Sequence, residues 1–137
     1  MFKKYTVCLL LLISCASTDK LSTYHDFGEK KGIEKIVDDL FVYLLKDERT
    51  KESFQRLNLD KTKEGLSNFI CVTLEGPCKY EGQSMKRAHK GQEITERQFY
   101  GMVENMQKAM NKNNIPQRAQ NNLLGKLAAM HKDIIGN

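Results

Sequence analysis

The sequence predicts an all-α domain, on three observations. Apolar residues recur at three- and four-residue spacing in four separate stretches. No stretch of useful length alternates apolar with polar residues, so no sheet is expected. The chain of 137 residues is 40% hydrophobic and 28% charged, the length and composition of one globular domain and not of a disordered chain. A domain of this size buries a core without metal or disulfide staples.

The opening segment reads as an address. Lys3 and Lys4 precede an apolar run from Val7 to Ile13. A membrane-spanning helix needs ~20 such residues, so this run suits the hydrophobic region of a secretory signal instead. Leu12-Ile13-Ser14-Cys15 resembles a bacterial lipobox, in which the cysteine is acylated and becomes the new N-terminus. Residues 1–14 are therefore expected to be a signal peptide, 15–22 a tether anchored to the membrane by lipid on Cys15, and 23–137 the folded domain. The alternative is an ordinary signal peptide that contains a cysteine. Either places the mature protein in the cell envelope or periplasm.

The helices follow in order. Ile33, Ile36, Val37, Leu40, Phe41, Leu44 and Leu45 form one stripe. Leu66, Phe69, Ile70, Thr73 and Leu74 form a second, which extends back to Thr62 and is stopped by Gly76-Pro77. Phe99, Met102, Val103, Met106 and Met110 form a third, opened by a capping box at Thr95–Gln98. Pro116 opens the fourth, as a first-turn proline can. Its stripe is Leu123, Leu124, Leu127, Ala128, Ile134 and Ile135, with Gly136 as end cap. Cys78 to Ile94 is a long polar connection, of a kind that is functional or held by something else.

Cysteine and charge narrow the chemistry. Once Cys8 leaves with the signal and Cys15 carries lipid, Cys71 and Cys78 remain, in a compartment that permits disulfides. On one helix their Cα atoms would be ~10 Å apart, too far for a bridge. Gly76-Pro77 allows the chain to fold back, but two free thiols, with Cys71 buried, are the simpler expectation. The net charge of +5 comes from 22 basic and 17 acidic residues. Without Lys3 and Lys4 it is 20 against 17, or +3, alternating in sign along the chain. That excludes the clustered basic face of a nucleic-acid binder. No zinc spacing, phosphate loop or triad pattern is present. Of the three histidines, His25 reads as surface, His131 as half-buried near a helix end, and His89 lies in the polar connection.

An ordered set of motifs carries a family resemblance. It comprises Gly32-Ile33 through Val37-Asp38-Asp39-Leu40-Phe41, then Phe54, Leu74-Glu75-Gly76-Pro77, Tyr80, Gly82 and Met85. Ala88-His89-x-Gly91, Ile94-Thr95 and Phe99 complete it. With these the chain resembles a group I truncated haemoglobin, a globin with a two-over-two helical sandwich around haem, from about Thr23 onward. The resemblance implies haem b with His89 as the proximal iron ligand. It also implies porphyrin contacts from Phe54, Phe69, Met85, Ile94 and Phe99, with Lys86 or Arg87 as partner of a propionate. The haem would supply the apolar surface that orders the polar connection.

The ligand side departs from the family. Where members carry a tyrosine and glutamines that donate hydrogen bonds to bound dioxygen, this chain has Phe41, Thr62 and Leu66. Thr62 is the one evident donor, and Tyr43 should point away. The position of an internal sixth histidine is Gly65, so none is expected; Lys61 or Lys63 is the remaining internal candidate. Two family glycine pairs appear as Gly28-Glu29 and Glu75-Gly76. The resemblance implies binding of dioxygen or another diatomic ligand, and the apolar pocket left by the missing donors implies fast release. Nitric oxide scavenging, sensing or dioxygenase-like conversion is the alternative, and conversion requires a reductase outside the cytoplasm. A haem-free helical interaction lipoprotein is a further alternative. Peroxidase-like chemistry ranks last, because no distal histidine is evident.

Overall fold

The computed structural model describes residues 23–136. The signal, lipobox and tether readings fall on residues 1–22, outside the described residues. After a helical turn over 23–26, seven helices follow: α1 Glu29–Leu44, α2 Lys51–Gln55, α3 Leu59–Thr73, α4 Met85–Ala88, α5 Glu96–Lys112, α6 Gln117–Ala128 and α7 His131–Ile134. Among the described residues no strand forms; an isolated parallel bridge joins Ile94 to Ile135.

The helix periods set the packing. The α1 stripe Ile33, Ile36, Val37, Leu40, Phe41 and Leu44 is buried throughout, and α1 packs against both α3 and α5. The shorter α6 lies against α3 and α5. The pairs α1/α3 and α5/α6 are thus two crossed layers around one core, where Met106, Ala109, Met110, Ala119 and Leu123 meet the α1 stripe. Local signals fix the ends. The Asn58 side chain accepts from the Lys61 N–H at the start of α3. The Thr95–Gln98 capping box opens α5 as expected. An ionic corner ties the turn after α1 to α5: Arg49 donates to Asp47 at 2.8 Å and to Glu104 at 2.7 Å, and Asn105 donates to Asp47 at 2.8 Å. The Arg49 guanidinium and its backbone N–H, helped by Asn105, hold the Asp47 carboxyl well below the usual carboxylate range.

Two expectations change. The fourth stripe does not run as one helix: α6 ends at Ala128, and Ile134 belongs to the separate short α7. This break lets the chain turn back toward Ile94, where the Gly136 N–H donates to the Ile94 carbonyl at 3.3 Å. Free thiols at Cys71 and Cys78 also give way, to a disulfide with Cα atoms 5.9 Å apart. The physical reason is a tight reversal. Helix α3 stops at Thr73, Glu75 adopts a left-handed conformation (φ 61°), and the Gly76 N–H bonds back to the Cys71 carbonyl at 2.8 Å. A Cβ at position 76 would sit 2.5 Å from the Tyr24 ring and 2.7 Å from Cys71 Sγ, so only glycine fits this approach.

Candidate functional site

A cavity of about 680 Å³ opens between α3, the 80–94 connection, the start of α5 and the C-terminal turn. Its walls are mostly apolar. Phe54, Leu57, Leu66 and Phe69 contribute from α2, the turn after it, and α3. Met85, Ile94, Phe99, Met102 and Met106 come from the opposite side, and Leu127, Met130 and Ile134 from the C-terminal end. Polar connections rarely pack like this, and the fold solves the problem by clamping the segment at several points. Tyr80 packs edge-on against Phe69 with centroids 5.4 Å apart, and its hydroxyl donates to the Gln83 carbonyl at 2.8 Å. Ser84 caps α4 by accepting from the Arg87 N–H. Ile94 is held by the Ile135 bridge, and α7 lies against α4.

His89 follows directly on α4, half-buried on the cavity wall. Its Nδ1 lies 2.8 Å from the Met85 carbonyl oxygen. A carbonyl can only accept, so Nδ1 carries the proton in this contact. In the neutral ring that leaves Nε2 with a free lone pair, the form in which imidazole binds a metal. The other two histidines are committed elsewhere. His25 lies at the surface against Glu29, 2.8 Å away. His131 is half-buried, 2.9 Å from Glu96, its ring edge-on to Phe99 at 4.7 Å.

The structure brings together eight of the nine residues singled out in the sequence: Phe54, Thr62, Leu66, Phe69, Met85, His89, Ile94 and Phe99 all line the cavity. Phe41 does not. It lies 1% exposed in the core, behind Phe54, whose ring meets it edge-on at 5.6 Å. Tyr43 packs as a half-buried residue against the core, outside the cavity wall. Thr62 reaches the wall, but its hydroxyl donates to the Asn58 carbonyl at 2.7 Å, one turn back in the helix. A hydroxyl has one proton, so in this position Thr62 offers a ligand only a lone pair. Gly65 lines the cavity, and a Cβ there would meet nothing within 4 Å. Lys63 is taken by Asp38 at 2.9 Å and stands over the Phe41 ring at 5.7 Å; Lys61 does line the cavity. Lys86 and Arg87 are exposed and off the wall. Sequence reasoning missed Met102, Met106, Leu127 and Ile134 as wall residues, because a helical stripe reads as plain core whether it faces a neighbour or a cavity, and missed Met130, which lies on no stripe.

A two-over-two helical sandwich around an apolar slot, with one imidazole nitrogen available on its wall, defines a globin-type fold. The sequence profile of the bacterial-like globins matches residues 22–135, and the chain belongs to that family. The group 1 truncated hemoglobin of Mycolicibacterium paratuberculosis is 26% identical over 124 residues, covering 90% of this chain and 91% of its own. That of Tetrahymena pyriformis is 25% identical over 113 residues, covering 82% and 93%. The crystal structure of the Tetrahymena pyriformis truncated hemoglobin in its Fe(III) form superposes with a TM-score of 0.80 at 24% identity, covering 84% of this chain and 98% of that one. The 2/2 hemoglobin of Synechococcus sp. PCC 7002 gives a TM-score of 0.76 at 20% identity, with the same coverage. These structures share the truncated two-over-two globin fold with this chain.

Proposed function

We propose that this chain is a haem protein that binds dioxygen or another diatomic gas at an iron held by His89. The observation that carries this is the 2.8 Å contact between His89 Nδ1 and the Met85 carbonyl, which orients the ring and leaves Nε2 for a metal. The residues fit haem b in two further ways. The cavity is roomy and mainly apolar, as a porphyrin face requires. Phe54, Phe69, Met85, Ile94 and Phe99 stand on its walls, where ring contacts are expected. Bound haem would supply an iron centre able to take small gases. The chain's own residues orient the imidazole, exclude water with Phe54, Leu66 and Phe69, and withhold a hydrogen-bond donor at Thr62. That last feature supports fast dioxygen release. It equally favours nitric oxide or carbon monoxide, which depend less on such a donor. Nitric oxide scavenging or sensing is therefore the second reading, and turnover of nitric oxide would require an external reductase.

Absorption spectra of the full chain supplied with haem test the proposal, in ferric, ferrous and ferrous-CO forms. A Soret band that shifts sharply with CO, and is lost in His89→Ala while the helices persist, is the expected outcome. A folded chain that retains no haem would sink the proposal and leave a helical interaction module. We further propose that the chain works in the cell envelope on a lipid at Cys15, a placement supported by the Cys71–Cys78 disulfide, since such bonds persist outside the cytoplasm.

A further inference from the structure

From Gly76 to Ser84 the chain has neither helix nor strand, yet Tyr80, Glu81 and Gly82 of this stretch line the cavity. Residues 81–84 are exposed, so little burial holds them. Their ties are the Cys71–Cys78 bond at the start, the Phe69–Tyr80 ring contact two residues on, and the Tyr80 hydroxyl bond to the Gln83 carbonyl that hangs on that ring. Immediately afterwards Ser84 caps the helix that ends at His89.

We infer that Cys71 and Cys78 are a positioning pair for the cavity: their disulfide sets the wall carrying Tyr80 and, through Ser84, the start of the helix that presents His89. The inference rests on the haem reading above and extends it, because a wall fixed by a covalent bond is in place before any prosthetic group arrives. Haem retention then depends on a bond that touches no cavity atom, since neither Cys71 nor Cys78 lines the cavity. The bond is also built to persist. Cys71 is 0% exposed while Cys78 is half-buried. An attacking thiol can therefore reach only the Cys78 sulfur, and Cys71 would have to leave as a thiolate in the apolar core, where that form is disfavoured.

The test uses the full chain and two readouts. In the haem-loaded form, transfer of haem to excess apomyoglobin is timed for the wild type, Cys78→Ser and Leu123→Val; the last is a core change on α6 away from the cavity. In the haem-free form, amide exchange of residues 79–84 is followed. Expected are at least tenfold faster haem loss and faster exchange in Cys78→Ser, with Leu123→Val moving neither beyond its effect on global stability. Prolonged treatment of the wild type with excess dithiothreitol, entering at the Cys78 sulfur, should slowly reproduce the variant: two electrons and two protons pass to the disulfide, giving two thiols, and the reagent leaves as its cyclic disulfide. Unchanged haem loss in Cys78→Ser, or equal loss in Leu123→Val at matched stability, would overturn the positioning role. A wild type that takes up no haem overturns the proposed function instead. The exchange experiment then still decides whether the disulfide orders 79–84.

Discussion

Replacing Thr62 separates two roles that one hydroxyl could play. If it donated to a gas in the cavity, Thr62→Val would remove a hydrogen bond to a partly charged oxygen, worth about 1.5–3 kcal/mol. At about 1.4 kcal/mol per decade, dioxygen release would quicken roughly ten- to hundredfold. The structure places that proton 2.7 Å (heavy-atom distance) from the Asn58 carbonyl instead. The same carbonyl already accepts the Thr62 N–H at 2.9 Å, so it keeps a partner when the hydroxyl goes. Thr62→Val should therefore change release by less than about threefold and stability by within about 0.5 kcal/mol, as for an ordinary surface substitution. Thr62→Gln adds a primary amide with two free donors and should slow release by about tenfold or more. Stopped-flow displacement of dioxygen by CO measures both. A tenfold acceleration in Thr62→Val would show that the hydroxyl leaves the helix for the ligand, and no slowing in Thr62→Gln would show that position 62 does not face it.

Other positions yield simpler tests. Gly65→His places a side chain where a Cβ meets nothing within 4 Å; a six-coordinate ferrous spectrum and a slower CO on-rate are expected, and an unchanged five-coordinate spectrum would count against the assigned geometry. The Asp47 carboxyl, ordinarily near 3.8, is held lower in the fold by the Arg49 guanidinium first, then the Arg49 backbone N–H and Asn105. A depressed folded value means that its stabilising contribution is complete above the unfolded value and is lost as the pH falls below it. Asp47→Asn should therefore lower stability at pH 7 and flatten the acid limb of the stability profile between pH ~4 and ~2. Urea midpoints across that range check this, and an acid limb as steep as the wild type's would refute it.

The helical stripes were legible because burial repeats at the helix period, and α1 shows it most fully, with six stripe residues buried. What the pattern could not separate was core from cavity. Phe41 and Phe54 are both aromatic residues at family positions, yet one is covered by the other. The reversal at Glu75 was equally hidden, since a left-handed glutamate leaves no mark in composition. The same conformation occurs at Glu29, φ 59°, next to Gly28, so in both pairs the glutamate adopts the left-handed conformation that favours glycine. The strain is of order 1–2 kcal/mol per residue. The break between Ala128 and His131 lacked a glycine or proline to announce it, and with it went the wall residues Met130 and Ile134. His89 was legible as a position, whereas the bond to Met85 that fixes its tautomer depends on α4 forming at all.

The bridge between Ile94 and Ile135 also bears on synthesis. Helices α1 to α5 leave the ribosome first, and Met130 and Ile134 complete the cavity wall only once residue 136 has emerged and the Gly136 N–H reaches Ile94. The pocket therefore draws its last wall from the residues synthesised last among those described. A chain stalled or clipped after α6 would lack the Met130 and Ile134 side of its pocket. A prosthetic group seated in this pocket would meet the Met130 and Ile134 wall only once the chain as far as residue 136 is available.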